Sequence, residues 1–169
     1  MTTVDLFNEK AKSWDTSKRK QLTSIAIASS ILKYITLNKQ MDVMDFGAGT
    51  GLISAHIAPH VHTIVAVDIS KAMLEKLKLK PELQENVNTV CQDITSKPLN
   101  NQFDLIMSAL ALHHVENTNN LISTFAAHLK MGAKVALVDL DKEDGSFHPL
   151  NTNGVFHFGL DRAELHTLL

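Results

Sequence analysis

Residues 43–54 read VMDFGAGTGLIS, an apolar run closed by Asp45, then Gly47, Gly49 and Gly51 at alternate positions, then residues that can start a helix. Glycine at such positions takes positive φ and lets a ligand reach the main chain where a Cβ would clash. Free N–H groups at a helix start hold a polar or anionic group. The residue types therefore point to a strand-to-helix turn that holds a nucleotide-like cofactor.

Spacing narrows the cofactor. A dinucleotide fingerprint reads G-x-G-x-x-G. Here the third glycine comes one residue early, and Leu52 fills the place that fingerprint requires. Asp45 stands two residues before Gly47. A carboxylate there repels a pyrophosphate and suits an ammonium group. S-adenosylmethionine carries that group and no phosphate. The segment D-F-G-A-G-T-G, with Ala48 inside it, resembles the glycine-rich motif of the class I S-adenosylmethionine-dependent methyltransferases.

Support lies about one βαβ unit downstream. Residues 62–67 (HTIVAV) are mostly apolar and end in Asp68, 21 residues after Gly47. An acid there accepts from both ribose hydroxyls, and the expected spacing is ~20 residues. Residues 87–91 (VNTVC) lead to Asp93 and Ile94. The resemblance implies that Asp93 accepts from the adenine amino group while Ile94 packs on the ring. It also implies cofactor contacts from Ile69, Met73 and Ser108, although Met73 and Leu74 equally suit the core. The segment SALALHHV, 108–115, follows the fourth strand, where the family places the acceptor and the transferable methyl group. Imidazole titrates near neutral pH, so His113 and His114 could position or deprotonate a nucleophile. Alternatively, one histidine caps the loop and the other is solvated. A direct displacement at an activated carbon requires no acid–base residue, and no catalytic side chain is assigned beyond these two.

These residues need a scaffold, and the rest of the pattern supplies one. Strands are expected at 42–46, 62–67, 87–91, 103–107 and 133–140, with helices at 51–58, 70–79 and 119–130 between them. A mixed, helical stretch at 4–14 and a helix over 18–37 precede them. Most strands are continuous apolar runs, as in a parallel sheet covered on both faces. The expected fold is α/β: a Rossmann-like, doubly wound, mainly parallel sheet of about five strands. Ligands of such sheets sit at the carboxyl ends of the strands, where each acid above falls.

The chain has 169 residues, which suits one domain. It divides into a helical cover at 1–37, a cofactor-binding core at 38–140, and a loop with a final helix at 141–169. Sixteen basic against eighteen acidic residues give a net charge of −2, so no global field draws it to nucleic acid or a membrane. The single cysteine excludes an internal disulfide and fits the cytoplasm, as does the lack of a signal-like N-terminus. His60 and His62 alternate across a strand start, but two ligands are too few for a closed metal site. No metal is expected. The segments that mark many nucleic-acid amino methyltransferases and the arginine methyltransferases do not occur, so a small-molecule acceptor is the better fit.

Residues 7–15 (FNEKAKSWD) resemble the openings of ubiquinone/menaquinone-biosynthesis-like methyltransferases. They read as a lid over the cofactor or as a staple holding the helix to the domain. Family members carry two further strands after the fifth, and these are missing from this pattern. The chain is then either cut short or a shortened relative. The fifth strand becomes a sheet edge, which the following loop covers or a second copy pairs with. The leading function is S-adenosylmethionine-dependent methyl transfer to a small acceptor. The alternative is a non-enzymatic S-adenosylmethionine or S-adenosylhomocysteine-binding module or partner subunit. A nicotinamide oxidoreductase is disfavoured by Gly51 and Leu52.

Overall fold

A computed structural model describes residues 2–144, 147 and 154–169. Five parallel strands form its sheet: β1 (Asp42–Phe46), β2 (Thr63–Asp68), β3 (Val87–Cys91), β4 (Phe103–Ala109) and β5 (Leu129–Val138), in the order β3-β2-β1-β4-β5. Order reverses between β1 and β4, the place where sheets of this kind receive ligands, at the carboxyl ends of the strands. The expected doubly wound sheet is what the chain forms.

Helices cover both faces. On one side α2 (Lys18–Tyr34), α3 (Ser54–Ile57) and α4 (Lys71–Lys78) bury Ile27, Ile31, Ile57, Leu74 and Leu77 against Val43, Ile64 and Leu105. On the other, α5 (Thr118–Ala127) packs Leu121, Ile122 and Phe125 on Met44, Val67 and Ile106. Each fully buried aliphatic or aromatic side chain contributes ~1.5–3 kcal/mol relative to exposure. These two layers hold the sheet and fix where its strand ends lie.

Several boundaries differ from the sequence pattern for local reasons. The helix expected at 51–58 shrinks to α3, because Gly51 N–H closes a turn onto the Ala48 carbonyl and Pro59 begins a 3-10 turn at Ala58–His60. The stretch 4–14 divides into α1 (Thr3–Lys10), opened by a Thr2–Asp5 capping box, and a 3-10 turn at Trp14–Thr16. Ser17 then caps α2, its hydroxyl accepting the Lys20 N–H. Strand β5 begins at Leu129 rather than 133, because the Phe103 N–H is taken by the His128 carbonyl and pairing resumes after a register shift. The last helix, α6 (Arg162–Leu168), starts at an Asp161 cap.

Strand β5 lies at the sheet edge, as its place in the order requires. Past it the chain returns to its carboxyl end: Leu160 N–H donates to the Leu140 carbonyl, and Asp141 bridges to Leu160 in parallel. The remainder of the loop expected at 141–158 falls partly outside the described residues. Among the described residues, no helix is long and apolar enough to cross a membrane.

Candidate cofactor site

The three glycines do different things. A Cβ on Gly47 would collide with Ala111, so this glycine lets the loop after β4 close onto the loop after β1. A Cβ on Gly51 would lie 2.8 Å from Leu77 and Leu83, so this one lets the loop pack on α4. Gly49, at φ +55°, has nothing within 4 Å of its Cβ position. Its missing side chain leaves open space above the turn.

Asp68 ties that opening to β2. Its Oδ2 accepts the Gly49 N–H at 2.8 Å and its Oδ1 accepts the Ser70 N–H at 2.8 Å. The loop is further anchored where the Gly47 and Ala48 N–H groups both donate to the Val67 carbonyl. Burial raises the Asp68 carboxyl above its ordinary range, while the N–H groups of Ser70, Gly49 and Ile69 work against that rise. Asp45, end-buried in β1 at 3% exposure, accepts from Ser54 Oγ at 2.6 Å. Burial, only partly offset by the Ser54 hydrogen bond and added to by the Asp68 charge, pushes its carboxyl up to about 7.

The opposite end of the sheet shows what balanced acids look like. There Lys130 Nζ bridges Asp42 at 3.1 Å and Asp104 at 2.8 Å, and His62 sits 3.0 Å from Asp42. Among the described residues no cation acts on Asp45 or Asp68. Two carboxylates without a cation beside an open main chain form a site for a ligand that brings positive charge and donor hydroxyls.

At the end of β3, Asp93 is exposed, and its Oδ1 accepts from the Thr95 N–H at 2.9 Å and the Thr95 hydroxyl at 2.6 Å. Burial acts to raise its carboxyl, but the hydrogen bonds of Thr95 and Ser96 outweigh it and hold the group below its ordinary value. Ile94 is fully buried beside it, and Ile69 is 39% exposed at the end of β2. Asp45, Gly49, Asp68 and Ile69 thus converge on one crevice, with Asp93 and Ile94 at the next strand end. Met73 and Ser108 are both buried. Met73 is 1% exposed in the interior, and Ser108 shares register with Phe46 and Leu137, which pack on the α5 side. The Ser108 hydroxyl is buried there without a hydrogen-bond partner among the described residues.

Of the two histidines after β4, one is buried and the other partly so. His113 is 3% exposed, and its Nδ1 donates to Asp139 Oδ1 at 2.5 Å. Asp139 also takes the Leu112 N–H at 2.8 Å, so one buried carboxylate fastens the β4 loop to the end of β5. Asp139 is the site residue that sequence reasoning missed. Its signal was an acid at the end of the fifth strand, the same pattern that marked Asp45 and Asp68. His114 stacks edge-on against Phe7, centroids 5.0 Å apart, and its Nδ1 donates to the Gly154 carbonyl. Leu110, just before, holds φ 56°, a strained left-handed conformation for a side-chain-bearing residue, and is 39% exposed at the crevice end of β4.

The leading segment packs on the start of α4 and on the glycine loop. Asn8 Oδ1 accepts from the Ser70 hydroxyl at 2.8 Å and the Ala72 N–H at 3.1 Å. Asp15 pairs with Lys80 at 2.9 Å and accepts from Thr50, the threonine of the glycine loop. One end of the segment is therefore tied to the start of α4 and the other to the glycine loop.

Residues 43–132, more than half the chain, match the methyltransferase domain family. The chain belongs to this family. A methyltransferase-family relative from Coxiella burnetii, the ubiquinone biosynthesis O-methyltransferase, is 33% identical over 134 residues, covering 76% of this chain and 57% of its own. An uncharacterized methyltransferase of Schizosaccharomyces pombe is 27% identical over 118 residues, covering 64% of this chain and 42% of its own. This methyltransferase-family chain thus spans about half the length of the curated relatives it matches. In fold it is similar to the methyltransferase-family structure of DhpI with S-adenosylhomocysteine, at a TM-score of 0.76 and 20% identity over 97% of this chain and 82% of that one.

Proposed function

We propose that this chain moves a methyl group from S-adenosylmethionine to a small-molecule acceptor. The observation that carries the reading is the open space at Gly49, bounded by a carboxylate, Asp68, that already holds the Gly49 N–H. Both oxygens of Asp68 have lone pairs left beyond their backbone bonds, and these accept the two ribose hydroxyls. The unpaired acids Asp45 and Asp68 favour an ammonium group and reject a pyrophosphate. Asp93 accepts from the adenine amino group at the next strand end.

When bound, S-adenosylmethionine supplies a methyl group on a sulfonium sulfur, already activated for displacement. The chain's own contribution is alignment and exclusion of water. The loop after β4 forms the acceptor side: Asp139 and His113 fix its backbone, and Leu110 and His114 border the mouth. His113 is a positioning residue in this reading. The segment 7–15 acts as a cover, held by Asn8, Phe7 and Asp15, that opens for cofactor exchange. The lone cysteine, Cys91, is free and exposed, which supports a reducing, cytoplasmic setting.

An acceptor screen that reads S-adenosylhomocysteine release tests the reading. The Coxiella relative is named as an O-methyltransferase of ubiquinone biosynthesis, so hydroxyl-bearing aromatic compounds lead the panel. Turnover with one of them supports the proposal. Cofactor binding with no turnover across amine, hydroxyl and thiol acceptors favours the binding-module alternative.

A further inference from the structure

Asp45 is buried more deeply than its role as a ligand for a cation would require. Its carboxyl is 3% exposed, and Ser54 Oγ of α3 gives it a hydrogen bond at 2.6 Å. Its register partners, Ala66 on β2 and Met107 on β4, are apolar and buried. The charge that acts on it is another carboxylate, Asp68, from the neighbouring strand. An ionised carboxylate in such surroundings, beside a like charge, is strongly disfavoured. The neutral form has no such penalty.

We infer that Asp45 carries a proton in the ligand-free protein and releases it to solvent when the α-ammonium group of an amino-acid nucleoside enters the glycine loop. The inference rests on the proposed cofactor reading and adds a means of selection to it. The O–H bond of Asp45 breaks, its proton passes to buffer, and the incoming ammonium supplies the charge that stabilises the carboxylate. One positive charge replaces another, so the buried net charge is unchanged. A nucleotide phosphate in the same place would have to drive the opposite change, protonating Asp68 as well. Asp45 and Ser54 thereby select ligands by the charge of the group beside the ribose. The push of its carboxyl to about 7 agrees with this exchange at neutral pH.

Calorimetric titration of the whole chain with S-adenosylhomocysteine, in paired buffers of different ionisation enthalpy, tests it. At about pH 6 roughly one proton per bound ligand is released, and at about pH 8.5 almost none. Methylthioadenosine, which lacks the ammonium group, releases none at either pH. Asp45→Asn binds without proton release. If that variant does not fold, carboxyl-carbon NMR of the unmodified chain takes its place, with Asp45 neutral in the free protein at about pH 6 and ionised in the complex. Binding of S-adenosylhomocysteine with no buffer dependence, release that persists in Asp45→Asn, or an Asp45 already ionised in the free protein overturns this inference and leaves the cofactor reading standing. Failure of S-adenosylhomocysteine to bind at all overturns the reading on which it rests.

Discussion

Asp68 Oδ2 and the Gly49 N–H lie 2.8 Å apart, so the acid that closes β2 also holds the turn that closes β1. The two parts of the sequence signature are one physical unit. The carboxylate shapes the loop and then offers its remaining lone pairs to what the loop receives.

Asp68→Ala removes a charge-assisted acceptor and the anchor of the Gly49 and Ser70 N–H groups together. Affinity for S-adenosylhomocysteine should fall by ~1.5–3 kcal/mol, one to two decades, in a calorimetric titration. Asp68→Asn keeps one carbonyl acceptor and should lose less. Unchanged affinity in Asp68→Ala would remove this residue from the site.

The glycines should separate binding from stability. Gly49→Val strains a backbone at φ +55° by ~1–2 kcal/mol and fills the open space, so ligand binding should be lost from a chain that still unfolds cooperatively. Gly51→Val meets Leu77 and Leu83 at 2.8 Å before it meets any ligand, and its main effect should be a lower Tm. Normal binding by Gly49→Val would put the pocket elsewhere.

Stability should depend on pH through Asp45. Its folded carboxyl is raised to about 7, so it contributes stability below the ordinary carboxylate range and loses it as pH climbs toward neutrality. Above that point the ionised group is a burden of up to ~4 kcal/mol, from ~1.4 kcal/mol for each unit of displacement. Asp45→Asn should therefore raise Tm at about pH 8 and change it little near pH 4. Thermal melts across that range check the sign. A variant equally stable with the parent at alkaline pH would show that burial does not raise the Asp45 carboxyl.

The sheet was legible in the sequence because its strands are apolar runs and its acids fall at their ends. Asp45 and Asp68 could be read from their spacing to the glycines, and Asp93 from the family resemblance, since each lies in or just past the end of an apolar strand. Asp139 has the same strand-end position, but its pairing with His113 could not be read, because His113 lies 26 residues earlier and the two meet only when β5 lies beside β4. The same holds for Asp15 and Thr50, which are 35 residues apart. Leu110 carries no sequence mark of its left-handed backbone. Ser108 and Met73 come from the family resemblance alone, and the structure shows both buried.

The cover can be tested by deletion. Without residues 1–16 the chain loses the Asn8 bonds to Ser70 and Ala72 and the Asp15 bonds to Thr50 and Lys80. The shortened chain should unfold cooperatively and release S-adenosylhomocysteine faster in stopped-flow measurements. Loss of cooperative unfolding would mean that the segment is a structural staple instead.

The most direct measurement is titration of the intact chain with S-adenosylhomocysteine and, in parallel, with NAD. A site of uncompensated acids under an open glycine should bind S-adenosylhomocysteine at one site per chain, lose it on Gly49→Val, and leave NAD unbound. Binding of NAD in preference to S-adenosylhomocysteine, or of neither, would contradict the assignment of this crevice.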